Sequence, residues 1–458
     1  MRSKNASRPL RLLWSLSRFA TSPLSPHAPC SRCTLRADTS NRGRRGSLWA
    51  LVFAAMALAV HHAQAQTLYR FQTIYSVTGA SNRLNSVGIN NGGRVLWSGP
   101  TQEGPQIYLD TPLNNIAALD PLAATIIDSR LPRFGTQTNN VVWVASTGQI
   151  DRDTKQASPG SRYQEDRIYR YAPGSSATPT IIGSTIFAED GRAVSAVTNP
   201  DVNDRGQAVF RRLNYQTGRW SLLYHNGSGD LSGTRDLLTD YALVNAPFIS
   251  NSGKAVFTAR QSAADPIQMY LYDSQTDMLS PLSTSFNWAN ASIRDFGDDD
   301  VALVFAGSSA SGSFYTVDTL GNAALILTAG TSGVTRIELG QRNNRGQIVF
   351  ADRTVSGTGG GSPSFGLSNL VLYDNGQLIR LTDNPLGVSI RAAAINDRGD
   401  VAFITQEYLY ENGLYTGLRR MELVVGTAVP EPGIAGLLIV LTVCGAGIAL
   451  RHRKSRGR

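Results

Sequence analysis

The chain has 458 residues, 41% of them hydrophobic, enough for one large domain or two to three ordinary ones with a real core. Its formal net charge of +9 belongs to the two ends. Residues 1–65 hold ten Lys/Arg and one acid, and residues 451–458 hold five and none, so 28 basic residues face 33 acidic ones between 66 and 450. That mildly acidic interior excludes a nucleic-acid reading, which needs a basic patch on the folded body.

Residues 1–41 are rich in Arg, Ser and Pro and show no sustained periodicity. They read as a leader whose start is assigned too early, with a long n-region as the alternative. Cys30-Ser-Arg-Cys33 lies here; no second pair follows, so it is not half of a zinc site. Residues 42–65 read as a signal peptide. Arg42, Arg44 and Arg45 form a positive start, and Leu48 to Val60 is an apolar run too short for an ordinary span. Ala63-Gln-Ala65 matches a small-x-small cleavage site and predicts a mature start at Gln66. Arg44-Arg45 hints at a twin-Arg signal, but Ser47 stands where an apolar residue is wanted, so general secretion is expected. From Gln66 to Val443 there is no cysteine, so no disulfide framework staples the exported part.

Residues 66–425 are repetitive. Asn396-Asp-Arg-Gly399-Asp-Val-Ala-Phe403 recurs as Asn203-Asp-Arg-Gly206-Gln-Ala-Val-Phe210 and as Asn343-Asn-Arg-Gly346-Gln-Ile-Val-Phe350. Ser250-Asn-Ser-Gly253-Lys-Ala-Val-Phe257 and Asn90-Asn-Gly-Gly93-Arg-Val-Leu-Trp97 are further copies. Two degenerate copies are Thr136 to Trp143 and a stretch ending Val301-Ala302-Leu303. The final positions are 97, 143, 210, 257, 303, 350 and 403, with one long step that the polar stretch Asp151–Asp166 accounts for. In each unit Asn opens a turn through its own backbone, and Gly three residues on supplies the positive φ of a type I turn closed by a bulge. A β-branched and aromatic strand follows, then a Tyr-containing strand, the last of these being Glu407-Tyr408-Leu-Tyr410-Glu411. Seven such units of about 47 residues predict an all-β, seven-bladed β-propeller, with an open solenoid or stacked sandwiches as alternatives.

These units resemble the tandem NxxGxxxAF-type repeats of exported bacterial proteins. The resemblance carries no activity and marks Asn90, Gly93, Asn203, Gly206, Gly253, Asn343, Gly346, Asn396 and Gly399 as structural turn residues. Chemistry-bearing candidates are few. The only histidine between 66 and 450 is His225, which excludes a multi-His metal site and reads as a surface-turn residue. Asp295, Asp298, Asp299 and Asp300 form the densest acidic cluster. Their spacing is not that of an EF-hand loop; the reading taken is a solvated turn, with calcium ligation the alternative. Gly359-Gly-Gly361 reads as an insertion in the sixth unit rather than a phosphate loop. No other cofactor is expected.

Residues 426–433 read as a linker carrying Val429-Pro430-Glu431-Pro432; residues 434–450 are apolar or small and predict a transmembrane helix. The basic tail 451–458 places the C-terminus in the cytoplasm and the repeat domain outside. Motif, span and Arg cluster, in that order at the chain end, resemble the PEP-CTERM sorting domain, the substrate tag of exosortases. The resemblance implies a Gram-negative-type bacterium that makes exopolysaccharide. It also implies recognition of Pro430, Glu431 and Pro432 by a membrane-embedded processing enzyme, with the inner membrane and then the cell surface or extracellular matrix as destinations. The expected role is a non-enzymatic repeat domain that binds carbohydrate or protein. The alternative is a propeller enzyme, a polysaccharide lyase or glycoside hydrolase acting on matrix glycans.

Overall fold

A computed structural model describes residues 68–429, apart from 80–83, 85, 102–103, 110, 113–125, 136–137, 139, 148–164, 173–178, 187–194, 285, 332, 357–364 and 412–413. Among the described residues the structure is almost wholly β, and no helix is long and apolar enough to cross a membrane. The expected leader, signal peptide, transmembrane helix and tail, and the Gly359–Gly361 insertion, lie outside the described residues.

The strands form seven antiparallel sheets. A first strand, β1 (Leu68–Thr78), stands apart from its successors. Blade 1 holds β2 (Ser86–Ile89), β3 (Val95–Thr101), β4 (Gly104–Leu109) and β5 (Thr111–Pro112). Blade 2 holds β6 (Ile126–Phe134), β7 (Val141–Thr147), β8 (Glu165–Tyr171) and β9 (Thr180–Ser184). Blade 3 holds β10 (Ser195–Val202), β11 (Ala208–Asn214), β12 (Arg219–His225) and β13 (Thr234–Tyr241). In blade 4 the innermost strand is split into β14 (Leu243–Val244) and β15 (Phe248–Ile249), ahead of β16 (Lys254–Arg260), β17 (Gln268–Asp273) and β18 (Met278–Leu282). Blade 5 holds β19 (Ala291–Phe296), β20 (Ala302–Ala306), β21 (Ser313–Val317) and β22 (Ala323–Thr328). Blade 6 holds β23 (Ile337–Arg342), β24 (Ile348–Ser356), β25 (Phe365–Asp374) and β26 (Gln377–Arg380). Blade 7 holds β27 (Val388–Ile395), β28 (Val401–Glu411) and β29 (Leu414–Val429).

Blade 7 takes its fourth strand from the start of the chain. β1 pairs with β29 from Leu68↔Val429 to Thr78↔Arg420. The ring is thereby closed as a seven-bladed propeller, which sets aside the solenoid and the sandwiches. Three expectations are corrected. The repeat domain runs to Val429, four residues past its expected end, because β29 stays paired there and the expected linker residues Gly426–Val429 lie in the strand. Tyr408 and Tyr410 lie at the end of β28, the second strand, and β29 supplies the third. In blade 5 the repeat begins at Gly297, so its final position is Val304, not Leu303.

Every neighbouring pair of blades shares an apolar cluster. Between blades 2 and 3, Val144, Ile168 and Ile182 meet Val197, Phe210 and Leu223. Phe210 is fully buried, worth about 2–3 kcal/mol by area. It reaches that depth because Gly183 in β9 has no side chain; a Cβ there would lie 2.8 Å from the ring. The aromatic that ends six of the seven repeats is thus an inter-blade wedge, and Phe314 of blade 5 meets Phe350 of blade 6 edge to face at 5.8 Å.

Candidate functional site

The repeat turns join the innermost and second strands, so ring closure gathers them around one mouth of the central channel. Each turn folds by itself. In blade 3 the Asn203 side chain accepts from the N–H groups of Arg205 and Gln207, both at 3.0 Å. The Gly206 N–H donates to the Asn203 carbonyl at 3.0 Å, with Gly206 at φ +75°. Asn343 and Asn396 repeat the pattern. In blade 5 Asp300, at φ +59°, stands where five of the other turns have Gly93, Gly206, Gly253, Gly346 or Gly399. This is the turn chemistry that the sequence predicts.

The first-position asparagines do more than turn the chain. They are buried, and their Nδ2 groups donate to the next blade: Asn203 to the Ser250 carbonyl at 2.9 Å, Asn343 to Asn396 at 2.8 Å and Asn396 to Asn90 at 2.8 Å. Asn90 donates to the Thr138 carbonyl at 3.1 Å.

The second positions form a directional ring, which sequence reasoning missed. In blades 3 to 7 and in blade 1 the side-chain oxygen accepts the backbone N–H of the second position one blade earlier. Asp204 takes Thr138 at 2.9 Å, Asn251 takes Asp204 at 2.7 Å and Asp298 takes Asn251 at 2.9 Å. Asn344 takes Asp298 at 2.7 Å, Asp397 takes Asn344 at 2.8 Å and Asn91 takes Asp397 at 2.7 Å. The amides also donate sideways to the carboxylates: Asn91 and Asn344 to Asp397 at 2.6 and 2.8 Å, and Asn251 to Asp204. Carboxylates at 204, 298 and 397 therefore alternate with amides at 251, 344 and 91, so every carboxylate finds donors and none touches another. Strict alternation cannot close around an odd number of blades. Thr138, in a turn one residue longer than the others, takes the remaining place. The signal was in the aligned repeats, where the residue after the first position alternates between Asp and Asn from blade 3 onward.

Inside this ring lies a cavity of about 80 Å³, lined in part by Asp201, Asp295, Gln341, Arg342 and the ring residues. An innermost strand has no partner on its channel side, so its free N–H groups need other acceptors. Asp201 accepts from Ile249 at 2.8 Å, Asp295 from Arg342 at 2.9 Å and Gln341 from Ile395 at 3.1 Å, each on the following blade.

The acidic cluster is dispersed by the fold. Asp295 and Asp298 serve the backbone as described. Asp299 pairs with Arg342 at 2.7 Å, and Asp300 takes Lys254 at 2.8 Å together with Ser250 and Ser252. Burial pushes the Asp300 carboxyl up, but these three donors outweigh it and hold the group below its usual range. The expected solvated turn is thus a set of inter-blade ties, and the four carboxylates do not converge as calcium ligands. Among the described residues no group of three or more His, Cys, Asp or Glu is placed to hold a metal ion.

His225 is also corrected: it is fully buried, not a surface residue. Its Nδ1 accepts from the Gly227 N–H at 3.1 Å, which leaves the proton on Nε2, 3.0 Å from the Asp230 carbonyl. The ring thereby closes the turn 226–233. Arg170 of blade 2 clamps the same turn through the carbonyls of Gly227 and Ser228 at 2.8 and 2.6 Å. Burial lowers the imidazole's pKa, and the nearby Arg170 charge adds to this.

Of the expected sorting and processing residues, Val429 ends β29, and Pro430, Glu431, Pro432, Ala63 and Ala65 lie outside the described residues. No family model and no curated protein matches the chain. Solved structures do resemble it. An oligogalacturonate lyase in complex with manganese aligns over 80% of this chain and 98% of its own, at 11% identity and a TM-score of 0.48. An oligogalacturonate lyase from Vibrio parahaemolyticus aligns over 80% and 99%, at 10% identity and a TM-score of 0.44. The β-propeller domain of the Trilobed protease from Pyrococcus furiosus aligns over 64% and 82%, at 13% identity and a TM-score of 0.42. Such distant likeness carries nothing about ligand or reaction.

Proposed function

We propose that the chain is an exported envelope protein, delivered by its C-terminal tag, whose propeller is a non-enzymatic scaffold for binding carbohydrate or protein. The observation that carries this reading is the ordered tail: Val429-Pro430-Glu431-Pro432, then the apolar run 434–450, then the cluster from Arg451 to Arg458. The tag begins where the last strand ends, so a processing enzyme could act on it without unfolding a blade. Its partners are then an exosortase-type transpeptidase, the membrane, and exopolysaccharide or another surface protein.

The choice of binding over catalysis is supported by the carboxylates at the channel mouth. Asp201, Asp204, Asp295, Asp298 and Asp397 each accept hydrogen bonds from neighbouring blades, which commits them to holding the ring together.

Cell fractionation with and without the cognate transpeptidase tests the reading. A shorter form at the surface or in the medium is expected only when the enzyme is present. Residence of the full-length chain in the inner membrane in both strains refutes it. A glycan array probed with the purified protein then tests for a carbohydrate ligand.

A further inference from the structure

The two ends of the propeller leave it at one place. Leu68 and Val429 are paired, two residues after the predicted mature start and one before Pro430. Both sit beside the repeat turn of blade 7. The Tyr69 hydroxyl donates to the Gly399 carbonyl at 2.8 Å, and the Ala428 N–H donates to the Asp400 carboxylate at 3.2 Å. β29 therefore runs down onto the face that carries the repeat turns and the Asn/Asp ring. The opposite face is built from the second-to-third-strand turns, such as 214–218 and 261–267, and from the inter-blade connections, such as 381–387.

From Val429 the chain has only residues 430–433 before the apolar run begins at Ile434. Fully extended, those steps reach at most about 18 Å. We propose that, while the tag anchors the chain, the repeat-turn face lies against the membrane and the opposite face is presented outward to the protein's partner. This rests on the reading of 434–450 as a membrane span. The tether is short relative to the ring and attaches at its rim, on the turn side, so it holds that side close to the headgroups. The face left free for recognition is then the one without the Asn/Asp ring, and the channel opens toward the bilayer through its ringed mouth.

The absence of cysteine from Gln66 to Val443 makes the test direct. In the mature chain from Gln66 to Arg458 carrying Cys444→Ala, single labels are placed by Arg345→Cys on the turn face or Asp383→Cys on the opposite face. Both sites are exposed and both belong to the sixth repeat unit. Each labelled protein is reconstituted into phosphatidylethanolamine–phosphatidylglycerol vesicles containing a nitroxide-headgroup lipid. Quenching of the label at 345 is expected to exceed that at 383 by about twofold or more, given the reach of the tether. Equal or reversed quenching in protein that floats with the vesicles overturns the orientation and leaves the anchor intact. Protein that does not float with the vesicles overturns the anchor reading and the orientation with it.

Discussion

Asn344→Asp is the sharpest test of the alternating ring. The Asn344 Oδ1 accepts the Asp298 N–H at 2.7 Å, and its Nδ2 donates to the Asp397 carboxylate at 2.8 Å and to the Asp298 carboxylate at 3.3 Å. The substitution keeps the acceptor and the shape. It removes both donors and sets three carboxylates side by side. Losing the bonds to charged acceptors costs about 1.5–3 kcal/mol. Each new carboxylate pair at about 4 Å adds up to about 4 kcal/mol at an effective dielectric of about 20, before the side chains relax. A net loss of about 3–5 kcal/mol is expected at neutral pH. Asn344→Ala loses the same donors and also the acceptor but brings no charge, so it should cost less than the Asp variant, about 1.5–3 kcal/mol. Urea unfolding of the chain from Gln66 to Val429, followed by tryptophan fluorescence, ranks the two. The gap should narrow in acid, as the introduced carboxyl takes up a proton, and at high salt. If Asn344→Asp is no less stable than Asn344→Ala at neutral pH, alternation of charge is not what orders the ring.

Three further outcomes are expected. His225 binds a proton less readily in the fold than in the unfolded chain, chiefly because it is buried. Its contribution to stability is therefore complete above its ordinary pKa of about 6.5 and is lost as the pH falls through the lowered folded value. The drop in urea midpoint from about pH 7.5 to pH 5 should shrink in His225→Gln. Gly206→Ala puts a Cβ 2.5 Å from the Arg170 guanidinium at φ +75°, whereas Gly218→Ala, at φ +67°, meets nothing within 4 Å. The second should cost about 1 kcal/mol in thermal unfolding and the first clearly more. Phe350→Ala opens a cavity between blades 5 and 6 and should cost about 3–5 kcal/mol in the same assay.

The sequence alone determined the repeat, the blade count and the form of the turns. Turn formation is local: Asn203 and Gly206 act within one short segment, so their chemistry can be read from spacing. The aromatic ends at Trp97, Trp143, Phe210, Phe257, Phe350 and Phe403 were legible as core for the same reason, since strand periodicity marks a buried face. In blade 5 the sequence pattern sets the weak copy one residue early, because Asp300 holds a positive φ without being glycine.

What only the tertiary structure decided are the meetings across the ring. Asn91 and Asp397 touch although they stand 306 residues apart, because β1 closes blade 7 and brings the last blade against the first. The fold also scatters Asp295, Asp298, Asp299 and Asp300. Neighbours along a tight turn point in different directions, so a run that looks like one anionic cluster becomes four separate ties. It also buries His225: a strand-end residue is exposed or covered according to what the adjacent blade presents, and blade 2 presents Arg170 over its turn.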